Sequence, residues 1–210
     1  MQKSDQVSLY FLDALEKTRF FVNISERHLK EEFTKYTETD IETDEATCWD
    51  RHQYRNDLSA HFQTIFPQYQ KQSHLLMLVS FFEDYLNQLC HSLQFEKGLN
   101  RNLKDSDGSG IERAKNYLRK VANIQIPTDT KYWSKIVEAR DIRNIVAHNA
   151  GHLDKEAHKK HFKIVERNSH LDSDEFARVH LNIKQDYLLE VITAMESVVN
   201  TIWENMKYNA

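Results

Sequence analysis

Only four glycines and two prolines are spread over the 210 residues of this chain. Sheet proteins place Gly and Pro at many tight turns, so a supply this sparse points to long helices joined by few loops. The apolar pattern agrees. Val7, Phe11, Leu15, Val22, Leu29 and Phe33 recur at helical spacing and predict an amphipathic helix from Val7 to about Tyr36. The acidic stretch Thr37 to Thr47 reads as a loop or a frayed helix end. Trp49 to Phe66 reads as a further helical segment, which Pro67 either breaks or passes on as the start of the next helix. The strongest helical signal runs from Gln68 to about Phe95. There Leu75, Val79, Phe82, Leu86, Leu89 and Leu93 step by three and four, and Leu76, Met77, Leu78 and Phe81 make the middle apolar nearly all round. Such a helix belongs at the centre of a bundle.

The second half follows the same logic. Ser109-x-x-Glu112 has the form of a capping box and predicts a helix reaching about Ile124. After Pro127, Thr128 or Asp129 is expected to cap a helix through Trp133, Ile136, Val137, Ile142, Ile145 and Val146, ending at Asn149-Ala150-Gly151. His152 to Glu175 is strongly polar. Arg178 to Asn182 alternates briefly, as a short strand or extended arm would, and Tyr187 to Met206 is the last helix. The expected fold is an all-α helical bundle of about five or six helices. Residues 1–67 form a helical extension packed on a core of residues 68–210.

Composition narrows the function classes. A formal net charge of −4 excludes a generally polybasic nucleic-acid binder, so any RNA contact must come from a local patch. Cys48 and Cys90 form no spaced metal motif. Cys90 sits in an apolar helix as a buried free thiol, and the expectation is a reduced, cytoplasmic protein. The opening MQKSDQVSLYFLDALEK lacks the apolar core of a signal peptide, and no apolar run approaches the roughly 20 residues a membrane span needs.

Chemistry concentrates in Glu138-Ala-Arg140-Asp141-Ile-Arg143-Asn144-Ile-Val-Ala-His148-Asn149-Ala-Gly151. Charged and polar groups interrupt an otherwise apolar helix there, and His148 stands just before its stop. At about 100° per residue, Arg140, Asn144 and His148 share one face, while Arg143 lies about 140° from His148. One straight helix therefore does not set Arg143 beside His148. Either the helix end unwinds, or a second copy completes the site, which predicts a two-fold homodimer with paired motif helices.

Arg143-Asn144-x-x-x-His148, with the Asn149-Ala150-Gly151 helix end, resembles the signature of the HEPN family, and Ser80 to Leu89 (SFFEDYLNQL) resembles that fold's long core helix. The resemblance covers roughly Gln68 to Met206 and leaves the first 67 residues unaccounted for. It implies a helical bundle that dimerises through the motif helices and forms a composite endoribonuclease site. RNA substrate, no cofactor and no metal are implied, with products ending in 2′,3′-cyclic phosphate and 5′-hydroxyl. It also implies a toxin or phage-defence effector, with an antitoxin or nucleotidyltransferase-like partner. Some members of the family are non-catalytic nucleotide- or protein-binding scaffolds, which is the alternative. The residues suit cleavage. A histidine titrates near neutrality and serves as acid or base, Arg143 offers a fork of donors to phosphate oxygens, and Asn144 can orient either. Arg140 and Glu83 are supporting candidates, Glu83 as a carboxylate able to hold Arg143 or Arg140. Lys155, Lys159 and Lys160 form a candidate RNA-backbone tract, a solvated helix face being the plainer reading.

Two metal patterns are weaker. With Asp105 as position 1 of an EF-hand, Glu112 and Asn116 fall where a hydrophobic residue and the bidentate Glu belong. His148-x-x-x-His152 and His158-x-x-His161 have ligand spacing, but Gly151 separates the first pair and no HExxH accompanies them.

Overall fold

The computed structural model describes residues 2–38, 56–154, 156–175 and 179–208. Among them six helices dominate: α1 (Lys3–Glu38), α2 (Phe66–Glu96), α3 (Gly110–Lys120), α4 (Lys131–Asn149), α5 (Lys159–Arg167) and α6 (Gln185–Tyr208). The all-α expectation holds. Three short strands, β1 (His152–Leu153), β2 (Leu171–Glu175) and β3 (Val179–Ile183), add an antiparallel sheet of order β1-β3-β2. The register sets His152 opposite His180 and Leu171 opposite Ile183. The strand expected around Arg178 to Asn182 is β3. Cys48, Trp49 and Lys155 lie outside the described residues, as does most of the Thr37–Thr47 stretch.

α2 is the central helix. Leu75, Leu78, Val79, Phe82, Leu86 and Leu89 are all fully buried. Pro67 does not break the chain; it stands in the first turn of α2, the second of the two expected outcomes. Residues 56–60 are helical, a π-turn spans His61–Ile65, and α2 follows without a gap, with Pro67 in its first turn. The missing proline N–H and the ring's clash with the carbonyl four residues back are tolerated where the helix has already widened.

α1 runs antiparallel to α2 and to α6. Ser4 N–H and Oγ donate to Glu96 at 2.8 and 2.7 Å, while Ser25 meets Gln70 at the other end. Trp203 Nε1 donates to Asp5 at 2.7 Å, and Arg19 pairs with Glu196 at 2.7 Å. Its inward face, with Phe11, Leu15 and Val22, joins the same buried cluster as α2, α4 and α6. Phe11 stacks on Tyr85 with ring centroids 4.7 Å apart. Cys90 is fully buried, and burial pushes its thiol up to about 12.

Two expected caps differ. Ser109 stands at the N-cap of α3 but its side chain makes no capping bond, and the Glu112 carboxylate pairs with Lys115 and Arg140. That helix stops at Lys120, and Asn123 takes a left-handed φ of 55° that turns the chain. The cap of α4 is Thr130, not Thr128 or Asp129: Thr130 Oγ1 accepts from Trp133 N–H at 3.2 Å.

Candidate functional site

α4 stays α-helical through Asn149, so the motif residues keep helical spacing to the end. The helix stops because Ala150 takes a left-handed φ of 50°, its N–H turning back to the Ile145 carbonyl, and Gly151 follows at φ 77°. A Cβ on Gly151 would lie 2.7 Å from Gln72 Nε2, and the Gly151 carbonyl accepts from Leu181 N–H at 2.9 Å. Only glycine fits between α2 and β3 there, and this fixes where the motif helix ends.

Arg143 is half-buried and faces α2, its Nη2 lying 3.7 Å from Glu83 Oε2. That is an ion pair, too long for a hydrogen bond. Its Nε is buried with no hydrogen-bond partner, so the guanidinium keeps donors in hand. Asn144 is half-buried and His148 is exposed in the last turn of α4. Neither side chain bonds to a described residue. Glu83 therefore serves Arg143, not Arg140. Its neighbour Asp84 is exposed and bonds Gln88.

Glu83 is held by the start of α3. Gly110 has φ 52°, and a Cβ there would sit 3.1 Å from Glu83 Oε1. Gly110→Ala is expected to lower unfolding stability by about 1–2 kcal/mol through the left-handed backbone alone. The same change displaces the Glu83 carboxylate. Urea unfolding checks the first effect.

Arg140 shares a helix face with Asn144 and His148, but its charge is already committed. It reaches Asp141 Oδ1 at 3.1 Å and Glu112 Oε1 at 3.3 Å. Asp141 is only 8% exposed and also takes Lys160 Nζ at 2.5 Å. Burial acts to raise the Asp141 carboxyl. Hydrogen bonds from Lys160 and Arg140, with their charges, outweigh burial and hold it below the usual value. A carboxyl depressed in the folded state stabilises above its unfolded pKa and loses that contribution as pH falls through the folded value. Asp141→Asn is thus expected to lose about 1.5–3 kcal/mol at neutral pH. The deficit against wild type should shrink below about pH 4, read by urea titration at several pH values.

Asp141 is the residue that sequence reasoning left without a role, and Glu112 pairs with Arg140 and Lys115 where a capping role was expected. A carboxylate inside an apolar helix was the visible signal for Asp141; of its partners, Arg140 is its neighbour on α4 and Lys160 comes from α5. The two described lysines of the expected RNA tract are both paired, Lys160 with Asp141 and Lys159 with Glu156 at 2.7 Å. Glu138 likewise ties α4 to the end of α5, accepting from Asn168 at 2.9 Å and facing Arg167 at 3.5 Å.

Histidines gather beyond the end of α4. His158 Nδ1 accepts from Asp154 N–H at 2.9 Å, and its Nε2 lies 2.8 Å from the Asn149 amide. On a neutral ring Nε2 then carries the proton, and Asn149 must present its oxygen. Both ring nitrogens are thereby occupied. His152 and His180 stack edge-on at 4.3 Å, beside Gly151. Burial holds His161 below its ordinary pKa. Among the described residues no cluster of three His, Cys, Asp or Glu side chains is arranged to hold a metal ion, and no described helix is long and apolar enough to cross a membrane.

No family model matches this chain, and no curated protein or solved structure matches it.

Proposed function

We propose that this chain is an endoribonuclease of the HEPN type that works as a homodimer and needs no metal. The observation that carries the reading is how little Arg143 and His148 do for the fold. Arg143 is half-buried and its guanidinium makes no hydrogen bond to a described residue, only a 3.7 Å ion pair with Glu83, and His148 is exposed in the last turn of the same helix with no described partner. Nearby Arg140, Asp141 and Glu138 are consumed by ion pairs and hydrogen bonds. Polar groups that a structure does not use are free to meet a ligand.

The chemistry follows from RNA's own nucleophile. His148 takes the proton of a 2′-hydroxyl, whose oxygen attacks the adjacent phosphorus. The P–O5′ bond breaks, the 5′ oxygen leaves with a proton, and the other product ends in a 2′,3′-cyclic phosphate. Arg143 donates to the phosphate oxygens as negative charge gathers there, and Asn144 orients the phosphate. Because α4 stays helical, Arg143 and His148 of one chain remain about 140° apart. A second copy across a two-fold axis supplies the complementary residue. A toxin or defence effector, restrained by an antitoxin or nucleotidyltransferase-like partner, is the biological role consistent with such an activity.

The test is incubation of a mixed RNA pool with the protein in excess chelator, followed by end-group analysis. Cyclic-phosphate and 5′-hydroxyl ends, produced by wild type and absent with His148→Ala, are the expected result. Intact RNA with a folded, dimeric wild type overturns the catalytic reading.

A further inference from the structure

A polar cleft of about 300 Å³ is lined in part by Glu83, the residue that pairs with Arg143. One wall is a single face of α2, carrying Glu83, Asn87 and His91 at four-residue intervals; Lys104, Gly110 and Arg113 contribute to the rest. Its charge balance is uneven. Lys104 is exposed and forms no ion pair with a described residue. Arg113 spends only its Nε, on the Gly108 carbonyl at 3.0 Å, and its Nη groups remain open. Glu83 is the one acid of the lining, and Arg143 already faces it. What remains is a small, positively biased pocket with the amide of Asn87 and the exposed ring of His91 beside it.

We propose that this cleft is a subsite for single-stranded RNA, seating the nucleotide next to the one cleaved. The inference rests on the ribonuclease reading of the motif. Lys104 and Arg113 take the flanking phosphate, as a backbone contact requires. The base lies against His91, and its edge is within reach of Asn87, the kind of contact that unpaired bases accept and a duplex denies. The volume fits one nucleotide, near the lower end of small-molecule pockets. Glu83 both lines this cleft and pairs with Arg143 at 3.7 Å, so the cleft adjoins the motif.

Binding is measured with the His148→Ala protein, so that RNA survives, using fluorescence anisotropy of a labelled single-stranded RNA across a salt series. Adding Lys104→Glu is expected to weaken binding about tenfold and to reduce the log–log salt slope by about 0.7. Lys104→Ala with His91→Ala, two exposed positions, provides a milder second variant. Unlabelled 5′-AMP is run as competitor. Displacement only at far higher concentration than RNA supports a strand subsite. AMP binding as tight as RNA overturns it in favour of a free-nucleotide site. Wild-type affinity and slope in both cleft variants overturn the inference even if the wild type cuts RNA. Weakened binding in those variants with a wild type that cuts nothing sustains the cleft as a single-strand site and overturns only its placement beside a cleaved nucleotide, together with the catalytic reading.

Discussion

On the proposed function, His148→Ala is expected to lower RNA cleavage by about 10²–10⁴-fold, the usual contribution of a positioned acid–base group. The fold is expected to be untouched, because the side chain is exposed and makes no bond to a described residue. A change of this kind stays within about 0.5 kcal/mol. Arg143→Ala is expected to lower cleavage by about 10²–10³-fold, as the loss of a charge-stabilising donor does. Arg143→Lys keeps the charge but not the planar fork, so it recovers only part of the rate. The stability cost of losing Arg143 is small. Its pair with Glu83 is long at 3.7 Å and partly solvated, and such a pair contributes about 0–1 kcal/mol. Single-turnover cleavage alongside thermal melting separates the two effects. Equal losses of activity and of folded protein would mean the two residues are structural.

Phe82→Ala is expected to cost about 3–5 kcal/mol of unfolding free energy, the range for deleting a buried aromatic ring. Phe82 is fully buried where three helices meet. Its ring centroid lies 6.0 Å from that of Phe11 on α1, 6.1 Å from Tyr85 on α2 and 6.4 Å from Trp133 on α4. Truncation leaves a cavity at that junction, which close-packed walls fill only partly. The transition should remain single in urea, because α1 shares this core. A loss below about 1 kcal/mol would be too small for a large-to-small change in a packed core, and would mean that α1 and α4 do not close over α2 at this point.

The fold was legible where the signal was local and periodic. Leu75 to Leu93 predicted a central helix, and α2 is that helix; alternation at Arg178 to Asn182 marked β3. What failed were details decided by distant partners. Ser109-x-x-Glu112 has the right letters for a capping box, but the Glu112 carboxylate pairs with Arg140 and Lys115, and only the approach of α4 reveals that. Pro67 marks the start of α2, as one of its two readings had it, but propensity cannot anticipate the π-turn that joins that start to the preceding helical residues. The motif residues and Glu83 could be named from the sequence, whereas the contacts that make Gly110 and Gly151 matter could not. Gly110 matters through Glu83 and Gly151 through Gln72, contacts that join separate helices. The polar run after the motif reads equally as a backbone tract or a solvated face; Lys160 stays exposed while its Nζ pairs with the buried Asp141.

The most direct test of the composite site mixes Arg143→Ala and His148→Ala subunits, each inactive alone, and assays RNA cleavage in chelator after subunit exchange. If the two-fold pairs Arg143 of one chain with His148 of the other, half the dimers are mixed and each carries one intact site, so cleavage returns to about a quarter of the wild-type rate. If wild type cuts but the mixture stays inactive, the two residues do not complement each other across a dimer, and the composite-site account is wrong.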